Sequence, residues 1–109
     1  MSIPANTRLL LAQRLDTHRT QRWPELDELS LRYRGDFVYL TTTSITGEPM
    51  PLCRLTYRRN PEHWGFAIYL ASRDGYENSL LPTGRPTGTP EQALDCACGL
   101  YFNDPTAWI

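Results

Sequence analysis

Four arginines lie at alternating positions of two segments that have the polarity pattern of β-strands. Arg32 and Arg34 belong to segment 29–34, and Arg54 and Arg58 belong to segment 52–59. Successive side chains of a strand point to opposite faces of a sheet, so the members of each pair share a face. The other face of each segment carries apolar residues, which predicts that the arginines face solvent. Guanidinium groups in such positions can hold phosphates and stack on bases.

The alternative interpretation of these arginines is structural. Long arginine side chains can cover the solvent face of a sheet and pair with acids on neighbouring strands. The formal net charge is −1, although residues 1–60 hold nine Arg against six acids and residues 61–109 hold two Arg against six acids. Strong nucleic-acid binders usually carry a clear basic excess. We therefore favour the structural interpretation and keep as the alternative a nucleic-acid-binding site made of Arg32, Arg34, Arg54 and Arg58.

The three cysteines and two histidines form no recognisable catalytic or metal-binding motif. Cys96 and Cys98 lie in a predicted helix, where a separation of two residues places their side chains about 200° apart. His18 and His63 are not at HxxxH spacing. We expect no metal, no cofactor and no catalytic residues, with the cysteines buried as small apolar side chains. A Cys-His enzyme that uses Cys98 or Cys53 with His63 is a further alternative.

Residues 89–102 form the clearest helix signal in the sequence. Thr89 is a good N-cap, Pro90 suits the first helical position, and Gln92 completes a capping box. Residues 103–105, Asn-Asp-Pro, predict the end of the helix. An apolar stripe at spacings of three and four residues predicts a face that packs on a sheet. Its members are Ala93, Leu94, Ala97, Leu100 and Tyr101.

The earlier part of the chain predicts one helix and then several strands. Asn6 or Ser2 can cap a helix that runs to about His18 or beyond and ends before Trp23-Pro24. Strand patterns follow at 29–34, 37–43, 52–59 and 64–72, with a short edge strand at 76–81. Gly35-Asp36 is either a bulge within one strand or a turn between two.

These elements predict a single α+β domain over residues 1–109. Its antiparallel sheet has three to four strands, with an N-terminal helix and a C-terminal helix packed on one face. The chain is long enough for one core but too short for two. With no secretory leader and no apolar run of about 18 residues, it is predicted to be a soluble cytoplasmic protein.

Two resemblances add to this prediction. The first rests on Trp64-Gly65-Phe66 in the predicted sheet and on Gly88-Thr89-Pro90-Glu91-Gln92-Ala93 at the start of the predicted helix. This order of a three-stranded sheet, a Gly, a Thr cap and a Glu/Ala helix resembles the DNA-binding domains of ethylene-response factors and lambda-type integrases. Their sheets enter the major groove, so this resemblance implies DNA binding. The second resemblance rests on the segments RYRGDFVYL, PLCRLTYR, WGFAIYLASRDGYENSLLPTG and GTPEQALDCACGLYFNDPTAW. These segments resemble small uncharacterised proteins of high-GC Gram-positive bacteria. This second likeness implies a bacterial cytosolic protein and assigns no activity.

The sequence as a whole predicts a small binding or protein-interaction module without catalytic activity. A sheet with an exposed edge and few helices to cover it invites self-association, so we expect a homodimer or a protein partner. Nucleic acid is the alternative partner, and no membrane partner is expected.

Overall fold

The computed structural model describes residues 3–24, 26, 28–43, 47–60, 62–70, 74–79, 81 and 84–102. Two helices flank a series of strands in the chain. The helices are α1 (Ala5–Arg22) and α2 (Pro90–Phe102). The strands are β1 (Ser30–Arg34), β2 (Phe37–Thr43), β3 (Pro49–Tyr57), β4 (Trp64–Leu70), β5 (Gly75–Asn78) and β6 (Thr87–Gly88). The predicted α+β class is confirmed.

The strands form one antiparallel sheet. β1 to β5 lie side by side in chain order, and β6 also pairs with β4. β5 pairs with residues 67–70 of β4, whereas β6 pairs with residues 64–65, so the two short strands share one edge of β4. Between them, the Phe66 N–H donates to the Pro86 carbonyl, and the Phe66 carbonyl accepts from the Ser79 N–H. The backbone of β4 is therefore bonded along this whole edge.

The sheet is larger than the predicted three to four strands. Gly35-Asp36 is a tight turn, not a bulge, because Arg34 and Phe37 pair directly across it. Gly35 has a φ of 59°, a left-handed conformation that glycine adopts without steric cost. This turn separates β1 from β2. The sequence does not predict β6, because two residues within a Pro- and Gly-rich stretch show no alternation.

A bulge occurs instead in β3. The pairing with β2 shifts between Leu40 and Thr41, which leaves Leu52 without a partner. A bulge lets two consecutive residues face the same side of a sheet, and Leu52 and Cys53 are both buried. The bulge explains why β3 begins at Pro49, upstream of the predicted start at residue 52.

Both helices lie over the same face of the sheet, as predicted. A single buried cluster joins α1 and α2 to alternate positions of the central strands, so the core lies between the sheet and one helical layer. Its members include Leu11, Leu15, Val38, Leu40, Cys53, Leu55, Trp64, Phe66, Ala93, Leu94 and Ala97.

The predicted capping box of α2 is confirmed. The Thr89 N–H donates to Gln92 Oε1 at 3.0 Å, and the Gln92 N–H donates to Thr89 Oγ1 at 3.2 Å. The side chains of Leu100 and Tyr101 and the predicted stop at residues 103–105 lie outside the described residues. Ala97 is only 3% exposed, which agrees with its place in the predicted apolar stripe.

The start of α1 differs from the prediction. The N-cap is Pro4, which offers no side-chain hydrogen bond, and the Arg8 N–H donates to the Pro4 carbonyl at 3.0 Å. Asn6 lies inside the first turn, where its Oδ1 accepts from the Thr7 N–H. Ser2 lies outside the described residues. The predicted end before Trp23-Pro24 is confirmed, and neither described helix is long and apolar enough to cross a membrane.

Polar contacts hold the two helices together. Arg14 of α1 donates from Nε and Nη2 to the two carboxylate oxygens of Glu91 of α2, at 2.8 and 2.7 Å. One turn further along α1, His18 Nε2 lies 2.7 Å from Asp95 Oδ1 of α2. The same Asp95 oxygen accepts from the Trp23 indole N–H at 2.8 Å. Partial burial opposes ionisation of Glu91, but the hydrogen bonds and charge of Arg14 outweigh it and lower the pKa of Glu91.

The buried position of Ala97 leads to a prediction about packing. Ala97→Leu should lower the free energy of unfolding by about 1–3 kcal/mol, because the added side chain overpacks the contact between helix and sheet. Ala5→Leu makes the same change at an exposed position of α1 and should change stability by less than about 0.5 kcal/mol. Urea unfolding measures both, and equal effects would contradict the packing described for α2.

The contact between Arg14 and Glu91 predicts a pH dependence of stability. A carboxyl group whose pKa is lower in the folded state stabilises the fold above its unfolded pKa, and this contribution is lost as the pH falls through the folded pKa. Stability should therefore decrease below about pH 4.5, with a smaller decrease in Glu91→Gln. In an Arg14→Gln background, Glu91→Gln should no longer reduce this decrease, because the hydrogen bonds and charge that outweigh the burial of Glu91 are gone. Urea unfolding across this pH range tests the pair as a double-mutant cycle.

Candidate nucleic-acid interface

The face of the sheet opposite the helices is not covered by any described element. We call it the open face. Strand register arranges its side chains in rows that cross the sheet. One row consists of Arg32, Tyr39, Arg54, Ala67 and Asn78, and the next consists of Arg34, Phe37, Thr56 and Gly65.

The four arginines singled out in the sequence all lie on the open face. Arg32 and Arg34 stand on β1, and Arg54 stands on β3. Arg58 directly follows β3 and lies over Gly65, so close that a Cβ on Gly65 would be 3.3 Å from Arg58 Nε. We refer to them as the open-face arginines.

The open-face arginines have no carboxylate partners among the described residues. None of them forms an ion pair there, whereas Arg14, Arg19 and Arg59 do. Among the described strand residues, no position on this face is Asp or Glu. At one corner, the Tyr69 hydroxyl donates to the Asp74 carboxylate at 2.6 Å. The structural interpretation required acids on neighbouring strands, and the described part of this face does not supply them.

Aromatic rings lie between the arginines. The Tyr39 and Tyr76 ring centroids are 5.3 Å apart, and those of Tyr69 and Tyr76 are 5.4 Å apart. Tyr39 belongs to β2 and Tyr76 to β5, so the two side chains lean towards each other across β3 and β4. Between these strands in the register stands Ala67, which is 1% exposed. The small side chain at Ala67 leaves room for this ring contact.

Two open-face arginines pack against these rings. The Arg54 guanidinium carbon lies 4.4 Å from the Phe37 centroid and 5.7 Å from the Tyr76 centroid. The Arg32 guanidinium carbon lies 5.4 Å from the Tyr39 centroid. Such cation–π contacts are worth about 0.5–1 kcal/mol each at exposed sites. They position the guanidinium groups without neutralising their charge.

The Arg54 side chain has a polar atom without a hydrogen-bond partner in the described structure. Its Nη2 donates to Asn78 Oδ1 at 3.3 Å, but its Nε is buried without a hydrogen-bond partner in the described structure. A buried donor left unsatisfied costs about 1–3 kcal/mol. The cation–π contacts of Arg54 offset part of this cost.

The tyrosines add no negative charge to the open face. The hydrogen bond to Asp74 raises the pKa of Tyr69, and partial burial raises the pKa of Tyr76. Both phenols are therefore neutral at physiological pH. At the described strand positions of this face, the charge comes from the arginines alone.

The sequence predicts the open-face arginines, but only part of the aromatic cluster can be predicted from it. Phe37 has the same parity as Tyr39 in β2, and this signal was sufficient to place both on the open face. Tyr76 and Asn78 are different, because their positions depend on the register of β5 against β4. A four-residue strand carries too little alternation to predict that register.

The structure does not support a Cys-His site. Cys53 and Cys98 are both 0% exposed, and burial raises the pKa of the Cys53 thiol. Cys53 pairs with Ile68, five residues after His63, so Cys53 and His63 are about 16 Å apart along the sheet. In the described residues, no group of three or more His, Cys, Asp and Glu side chains could hold a metal ion.

A cleft of about 320 Å³ lies beside the contact between the helices. Its lining is Gln13, Arg14, Thr17, His18, Gln21 and Glu91. Arg14 and Glu91 bond to each other, and His18 contacts Asp95. The charged groups of this cleft are therefore already used in packing α1 against α2.

The chain has no significant match to any protein-family model, curated protein or solved structure. The open face is therefore the basis for a proposed function.

Cysteine reactivity tests whether the chain holds a Cys-His site. Because all three cysteines are buried, a small alkylating reagent near neutral pH should leave them unmodified in the native protein. The same reagent should modify all three in urea, as counted by mass spectrometry. Rapid native labelling of Cys53 or Cys98 that disappears in His63→Gln would instead indicate an activated thiol.

Proposed function

We propose that the chain is a nucleic-acid-binding module and that the open face holds the phosphate backbone. The observation that carries the proposal is the set of open-face arginines without carboxylate partners among the described residues. Phosphate groups are natural partners for unpaired guanidinium groups, because charge-assisted hydrogen bonds to phosphate are short and strong. Three of the arginines lie on β1 and β3 and the fourth directly follows β3, so together they can contact several phosphates of one nucleic-acid strand.

The formal net charge of −1 is compatible with this proposal because the charges are segregated. Glu62 and Glu91 bond to Arg14, and Asp95 contacts His18 and Trp23, all on the helical side of the molecule. Among the described strand positions of the open face, the charged side chains are all arginines. Local potential guides the approach of a charged ligand more directly than the total charge does.

The same charge argues against a homodimer formed through the open face. A two-fold dimer places the same patch of each copy against the other. The open-face arginines of one copy would then meet those of the second, and juxtaposed like charges disfavour association. A nucleic acid instead supplies one negative charge with each phosphate.

The first test is a comparison of arginine variants. Labelled oligonucleotides should bind the wild-type chain at low salt, as measured by fluorescence anisotropy. The double variant Arg32→Gln, Arg54→Gln should bind more weakly because two phosphate contacts are lost. For a single strand, the slope of log K against log salt should become shallower by about 0.7 for each lost contact.

The matched control is Arg8→Gln, which removes one positive charge from α1, where Arg8 packs on Tyr33. It should keep the affinity and salt slope of the wild type. Undetectable binding of any oligonucleotide at low salt would refute the proposal. An equal loss per removed charge in Arg8→Gln would also refute it, because binding would then follow total charge. Tighter binding to polyglutamate than to an oligonucleotide would identify an acidic protein as the partner instead.

A further inference from the structure

The aromatic rings of the open face bear on the form of nucleic acid that binds there. Resting on the proposed function, we infer that the ligand is single-stranded, with unpaired bases stacked on Tyr39 and Tyr76 and its phosphates on the open-face arginines. Single-strand binders combine a basic surface with aromatic side chains on which bases stack. The open face has both features within one row of the register and its immediate neighbours.

The width of the sheet argues against a duplex. Four inter-strand spacings separate β1 from β5, so the open face is about 19 Å wide. The major groove of B-DNA is about 12 Å wide and admits a helix or a two-stranded ribbon. The rings of Tyr39 and Tyr76 meet over the middle of the sheet, where they could not enter such a groove. Both residues are partly exposed, so a base that is not already stacked within a duplex can reach the rings.

The contact between Arg32 and Tyr39 shows how a base is accommodated. The Arg32 guanidinium lies over the Tyr39 ring at 5.4 Å, in a position where a base would stack. No described carboxylate holds Arg32 in place. A base can therefore take its position on the ring while the guanidinium moves to a neighbouring phosphate.

Arg54 and Asn78 add hydrogen-bond donors beside the same rings. Asn78 Oδ1 accepts from Arg54 Nη2, and no described group accepts from the side-chain N–H₂ of Asn78. Arg54 Nε is buried and has no partner among the described residues, so it becomes a donor to a ligand only when the Arg54 side chain moves. An incoming strand brings phosphate and base oxygens, which are acceptors. This corner of the open face therefore favours a ligand with acceptors next to its stacking surfaces.

The experiment compares three labelled ligands of about 20 nucleotides by fluorescence anisotropy: a thymidine strand, a strand of abasic sites and a duplex. The abasic strand keeps the phosphates and lacks the bases. The wild-type chain should bind the thymidine strand more tightly than the other two. Tyr39→Leu should weaken binding of the thymidine strand by roughly 5-fold to 150-fold, the range for loss of one stacked base.

Two controls separate stacking from charge and from folding. Tyr39→Phe keeps the ring and should bind the thymidine strand as the wild type does. Tyr39→Leu should leave the affinity for the abasic strand unchanged within about twofold, since that ligand has nothing to stack. The comparison of the three ligands needs only the wild-type chain, so a variant that fails to fold does not remove the test.

The outcomes separate this inference from the proposed function. If the duplex binds as tightly as the thymidine strand, or if the abasic strand does, single-strand stacking is overturned and nucleic-acid binding stands. An unchanged affinity of a folded Tyr39→Leu for the thymidine strand overturns stacking on Tyr39. If none of the three ligands binds, the proposed function itself fails.

Discussion

The register of β2, β3 and β4 is the constraint on which the rest of the molecule depends. Val38 pairs with Leu55, and Leu55 pairs with Phe66, so one apolar row crosses the sheet beneath the helices. Because side chains alternate with a period of two, a slip by one residue would exchange the two faces of a strand. In β3, such a slip would place Arg54 in the core and Leu55 in solvent. Burial of the helical face thus fixes the composition of the open face.

Both helices lie on one side of the sheet, and their polar groups pair with each other there. Arg14 binds Glu91, and Asp95 contacts both His18 and the Trp23 indole, so α1 is held against α2 on one side of the sheet. These contacts pair the acids of α2 on the helical side of the sheet, and the described strand positions of the open face carry no acid. Among the described residues, the paired charges of Arg14, Glu91 and Asp95 thus lie on the helical side, and the open-face arginines lie on the other.

Local signals account for the parts of the structure that the sequence predicted. The capping box of Thr89 and Gln92 and the shared parity of Arg32 and Arg34 each depend on residues a few positions apart. The contact between Tyr39 and Tyr76 could not be predicted in this way, since it joins β2 to β5 across two intervening strands. The distinction between a turn and a bulge at Gly35 likewise depended on pairing, because glycine serves both. The absence of acids from the described strand positions of the open face emerged only once all the strands were placed.

The environment of Arg54 explains why charge and aromatic rings occur together on this face. A guanidinium between Phe37 and Tyr76 is partly removed from water, yet its Nε has no acceptor within the described structure. If the arginines only covered the sheet, a cross-strand carboxylate would relieve that cost and bind the group more strongly than the rings do. Aromatic faces hold the guanidinium in position while leaving its charge available. In the proposed function, that charge contacts the phosphates of a bound strand.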